Sequence, residues 1–125
     1  MSSQNKFFLL LVSILMVNFS FQDFTSRKLL LFGKGQLAFQ TQLQWLEIDS
    51  LGVTERDLKI EAVEFNSELA KRYHIKSGQF TVLLIGRDGD EKYKAHEPVT
   101  TKKLFSIIDA MPMRQSKIRK KKGSE

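Results

Sequence analysis

The side chains able to do chemistry are few, and their spacing limits what that chemistry can be. Cysteine is absent from the 125 residues. Its absence removes disulfides, thiolate metal sites, lipid attachment through cysteine and every thiol-based redox mechanism. The histidines are His74 and His96. A two-histidine acid–base mechanism needs both beside one substrate; nothing in their spacing joins them, so both are expected to be structural. Asp88, Asp90 and Glu91 group carboxylates that suit calcium, but the distal Glu and central Gly of a calcium loop are missing, and turn formation accounts for Asp88-Gly89. Gly33-Lys34-Gly35 stands between an apolar run and a helical pattern, where phosphate loops sit. It lacks the G-x-x-x-x-G-K-[ST] spacing and reads as a strand-to-helix turn. No set of residues points to a catalytic centre, a metal or a cofactor.

The C-terminal region offers two further constellations. Asp109 and Arg114 flank a proline and are placed to pair with each other or with Arg27, tying the C-terminus to the body of the domain. Alternatively Met111-Pro112-Met113-Arg114 forms a partner-binding edge, since methionine adapts to varied surfaces. The partner on that reading is an unidentified protein. Beyond it the charge is one-sided. Residues 23 to 113 hold 13 basic and 13 acidic side chains, whereas residues 114 to 125 hold six basic groups and one acid. The net charge of +6 is therefore mostly a tail. Such a tail touches anionic surfaces by charge alone and carries no specific nucleic-acid signal. With charge and little apolar content, residues 115 to 125 are expected to be disordered.

The elements that must position these residues follow from periodicity. Residues 1 to 22 resemble a secretory signal, with Lys6 ahead of the apolar run Phe7 to Val17. That run is short of the about 20 apolar residues of a spanning helix. No A-x-A-like cleavage triplet is present, so an uncleaved N-terminal anchor is the alternative to export. Leu29 to Phe32 is an apolar strand. From Gln36 to about Ser50, Phe39, Leu43 and Leu46 recur at helical spacing, with Trp45 and Ile48 widening the face and Gly52 as a C′ residue. Leu58 to Phe65 begins in strict alternation and suits a strand near a sheet edge. Asn66 or Ser67 caps a short helix over Glu68 to Tyr73.

Phe80 to Lys94 predicts a hairpin. Thr81 to Ile85 has the composition of a strand buried on both faces. Asp88-Gly89 supplies a two-residue turn with positive φ at both positions, and Glu91 to Lys94 forms an exposed edge. Thr100 caps a last helix, with Val99 and Leu104 as a hydrophobic staple and Leu104, Ile107, Ile108 and Met111 as its inward stripe. Pro112 is expected to stop it.

The order is β-α-β-α-β-β-α, an α/β arrangement. The stretches Arg27-Lys28-Leu29-Leu30-Leu31-Phe32, Leu83-Leu84-Ile85-Gly86-Arg87-Asp88-Gly89 with Lys92, and Ile108-Asp109-Ala110-Met111-Pro112-Met113-Arg114 resemble a bacterial domain-of-unknown-function family. Similar domains occur in vertebrate sushi-repeat and extracellular-matrix proteins. The resemblance, over about residues 27 to 114, implies a thioredoxin- or peroxiredoxin-like fold. It implies a four-stranded mixed sheet with the second, first, third and fourth strands side by side. In thioredoxins a Cys-x-x-Cys opens the first helix and a cis-proline precedes the third strand. Here Gly33-Lys34-Gly35-Gln36 and Phe80 stand at those points. The function expected is an exported binding or structural module of the cell envelope or extracellular space; a weak oxidoreductase or peroxidase-like activity is the alternative, opposed by the missing thiolate.

Overall fold

The structure, a computed structural model, describes residues 26–123. The signal-like segment, the start of the mature chain and the last two residues lie outside the described part. The elements run β1 (Arg27–Phe32), α1 (Leu37–Ile48), α2 (Ser50–Glu55), β2 (Leu58–Val63), α3 (Glu68–Arg72), β3 (Thr81–Ile85), β4 (Glu91–Ala95), α4 (Thr101–Asp109) and α5 (Pro112–Gly123). The strands form one sheet in the order β2-β1-β3-β4. β1 is parallel to β2, with Arg27 opposite Leu58, and antiparallel to β3, with Leu30 opposite Leu83. This is the expected arrangement, and β2 occupies an edge. Among the described residues no helix is long and apolar enough to cross a membrane.

Alternation along the central strands divides the core in two. Leu29, Leu31, Val82 and Leu84 face α1 and α4, where Phe39, Leu46, Leu104 and Ile108 cover them. Leu30, Phe32, Leu83 and Ile85 face α3, with Ala70, Phe65 and Tyr73. Both strands are buried on both faces, which is why they read as unbroken apolar runs. Two local signals act as the sequence implies. The Ser67 hydroxyl accepts from Ala70 N at 3.2 Å to start α3. Thr100 does the same for Lys103 N at the start of α4, and its staple residues Val99 and Leu104 are both buried.

Four local expectations are corrected. Ile48 does not widen the inner face of α1; it is 79% exposed, because α1 ends there and α2 turns away. Gly52 is not a terminator. It sits inside α2, where a Cβ would come within 2.6 Å of the Phe105 ring. The hairpin bend is wider than a two-residue turn. Gly89 N donates to Gly86 O and Gly86 N to Asp90 O, each at 3.0 Å. Gly89 alone in the bend takes positive φ, +83°, and one extra residue of β4 is accommodated as a bulge between Ile85 and Leu84. The region after Pro112 is helical, not disordered, through Gly123. Pro112 breaks α4 and then opens α5 as its first residue, a position that needs no N–H.

Candidate functional site

At the end of β1 the chain turns through Gly33 to Gln36, with Gln36 N donating to Gly33 O at 3.1 Å. A Cβ on Gly33 would lie 3.2 Å from Phe80 Cα, so this turn abuts the residue that leads into β3. The side chains at this junction are Lys34, Gln36 and Phe80, standing where the thioredoxin resemblance implies a Cys-x-x-Cys and a cis-proline. Gln36 Nε2 donates to Gly78 O at 3.1 Å, and Phe80 is buried in the core. His96, beyond β4, sits nearby. Thr81 Oγ1 donates to Gln79 O at 3.0 Å and lies 3.2 Å from His96 Nδ1, within hydrogen-bond distance. The contact fastens the strand end. His74 follows Tyr73, the C-cap of α3, at φ +56°, and α3 packs on the other face of the sheet. The structure does not bring the two histidines together.

The Asp88 carboxylate is occupied by its own turn, and Glu91 pairs with Lys94 at 3.0 Å. Asp88 Oδ1 accepts from Asp90 N at 3.0 Å and Oδ2 from Lys92 Nζ at 2.8 Å. The Lys92 bond, then the Asp90 amide, holds the Asp88 carboxyl below its usual range. Among the described residues no group of three or more His, Asp or Glu side chains is placed to hold a metal.

The richest cluster lies at the opposite end of β1. Arg56 binds Asp109 bidentately, Nε to Oδ1 at 3.0 Å and Nη2 to Oδ2 at 2.9 Å, a geometry only arginine offers. Arg114 Nε adds a third bond to Asp109 at 3.1 Å, and its Nη2 reaches Glu55 at 3.1 Å. The expected Asp109–Arg114 tie is therefore present. Arg27 does not join it through Asp109; its Nη1 donates to Arg56 O at 2.9 Å. Burial would push the Asp109 carboxyl up, but the Arg56 and Arg114 hydrogen bonds outweigh it and hold it below the ordinary value. Burial likewise opposes the Arg114 charge, and Glu55 and Asp109 more than offset it. Sequence reasoning missed Arg56 and Glu55. Both sit in the short α2 region, and no spacing rule links residues 55 and 56 to residue 109.

The four candidate interaction residues part company here. Arg114 is 5% exposed and faces the network. Met111 leans on the core, while Pro112 and Met113 are exposed. Met111, Pro112 and Met113 line one side of a cavity of about 370 Å³, and the hairpin residues Gly86 and Arg87 line the other. Such a volume sits at the low end of small-molecule sites, roughly 300–1,000 Å³.

The family described as "Domain of unknown function (DUF4174)" matches residues 20–117. The chain belongs to this family. The DUF4174 domain shares its fold with three solved structures. One, described as a malarial protein, is 20% identical, covering 67% of this chain and 94% of that chain with a TM-score of 0.51. Thioredoxin-2 of the malaria parasite, described as a component of its protein secretion machinery, is 21% identical over 69% of this chain and 84% of that one, with a TM-score of 0.52. A thioredoxin-fold protein from Helicobacter pylori is 14% identical over 68% of each chain, with a TM-score of 0.53. The DUF4174 domain therefore has a thioredoxin fold; at these identities the likeness extends to fold alone. No curated protein matches the sequence.

Proposed function

We propose that this DUF4174 domain is an exported binding or structural module of the cell envelope or extracellular space, with the scaffold's redox role absent. The observation that carries this reading is the composition of the turn against Phe80, where lysine, glutamine and glycine stand and no thiol exists in the chain. The thiolate is the nucleophile in that chemistry. Binding then falls to the cavity beside Met111, Pro112 and Met113, which adaptable methionines line. The kinship with bacterial members and with domains of sushi-repeat and extracellular-matrix proteins belongs to the same reading. It rests on the Leu83 to Gly89 and Ile108 to Arg114 stretches. Export is supported by Lys6 ahead of the apolar run Phe7 to Val17.

Affinity capture from envelope extract tests the reading, comparing the full chain with Met113→Glu. Met113 is 61% exposed, so the variant keeps the fold. Loss of a captured partner in the variant is the expected result; no capture by the full chain, or equal capture by both, overturns the assignment. Peroxide turnover above a denatured control would overturn the binding module as a complete account. Export is checked by the mass of protein recovered outside the cytoplasm, where an intact Met1 would contradict removal of the leader.

A further inference from the structure

The cavity beside Met111 has an unusual floor. Arg27 lines it and is 3% exposed. A guanidinium has five donor hydrogens, and Arg27 spends Nη1 on Arg56 O while its buried Nε meets no acceptor. Arg87 also lines the cavity. Its Nη2 pairs with Asp57 at 2.9 Å, and its buried Nε is likewise without a partner. Among the described residues, these are the two buried side-chain nitrogen or oxygen atoms with no partner, and both belong to arginines of one cavity. No carboxylate of the described residues reaches Arg27 within ion-pair distance. Burial and then the neighbouring Arg87 charge depress the Arg27 guanidinium below its ordinary value, and the more distant Asp57 and Asp109 carboxylates offset this only in part.

A buried cation without a counter-charge is costly, and proteins as a rule pair such groups. The remaining lining decides what the missing anion looks like. Lys92 and Asp88 at the rim neutralise each other at 2.8 Å. Ile107, Met111 and Met113 are apolar, and the lining overall favours a ligand that is not wholly polar. We infer that this cavity binds a small organic carboxylate, its anionic end against Arg27 and Arg87 and its apolar body against Ile107, Met111 and Met113. The site lies about 20 Å from the Gly33 turn by strand rise along β1, so it owes nothing to the scaffold's redox position. The inference names a ligand class for the groove proposed above, but a small carboxylate and a captured protein are separate observations, and either can fail alone.

The test is a titration of the full chain with hexanoate, hexanamide and inorganic phosphate, followed by the methyl resonances of Met111 and Met113. Hexanoate is expected to give saturable shifts at both methionines. Hexanamide, with the same body and no charge, should bind at least about tenfold more weakly, the worth of a hydrogen bond to a charged group. Phosphate, with charge and no apolar body, should also be weaker. Arg27→Gln should abolish the hexanoate shifts with the fold kept by circular dichroism. Should that variant unfold, the wild-type comparison of acid with amide and the Arg87→Gln variant decide. Equal binding of hexanoate and hexanamide overturns the inference, as does the absence of saturable shifts with hexanoate.

Discussion

Asp109 is the residue on which the C-terminal architecture converges, since Arg56 and Arg114 both donate to it. Its folded-state carboxyl is held below the unfolded value, so the sign of the pH effect is set. Its stabilisation is fully present above the unfolded carboxylate value of about 4 and is lost as pH falls through the lower folded value. Asp109→Asn should remove this acid-side dependence. Because Asp109 is one-third exposed, the loss at neutral pH should be about 1–3 kcal/mol in urea unfolding. Gly52 gives a second residue-scale prediction. The Phe105 ring occupies the space of its missing Cβ and carries the Arg56 guanidinium 4.0 Å from its centre. Gly52→Ala should therefore destabilise by about 1–3 kcal/mol in the same assay, despite alanine's better helix propensity.

At the scale of elements, Gln42 joins α1 to the approach to α4. It is fully buried, its Nε2 donates to Val99 O at 3.0 Å, and its Oε1 accepts from Val99 N at 2.7 Å. One amide thus satisfies both backbone groups of a buried residue, as a neighbouring strand would. Gln42→Leu keeps the volume but orphans both groups and should cost about 2–4 kcal/mol by chemical denaturation. Beside this contact Thr101 Oγ1 donates to Asp49, fastening the same junction. A polar residue in the middle of an amphipathic helix reads as solvent-facing, so nothing in the α1 pattern revealed Gln42. The caps Ser67 and Thr100 were legible because their partners lie three residues away.

For the whole molecule, the contrast is between what lies before and after Arg114. Lys117 reaches Asp57 at 3.4 Å and Lys121 reaches Glu55 at 4.0 Å, all from exposed positions. Exposed pairs of this kind contribute about 0–1 kcal/mol. Ending the chain after Ser116 should therefore leave thermal stability nearly unchanged, within a few degrees by calorimetry. Ending it after Ala110 removes Met111 from the core edge and Arg114 from Asp109 and Glu55, and should lower the melting temperature far more. By itself the sequence determined the order of the four strands and of the helices α1, α3 and α4, the caps Ser67 and Thr100, the edge character of β2 and the absence of thiol chemistry. Each of these rests on composition or on contacts a few residues apart. Only the tertiary structure decided that Pro112 opens a helix, that Arg114 turns inward to Glu55 and Asp109, and that Arg27 and Arg87 meet at one cavity. Arg27 and Arg87 are separated by 60 residues and brought together by the antiparallel pairing of β1 with β3. Pairing across that separation depends on register and on which face each strand buries, which local spacing does not encode.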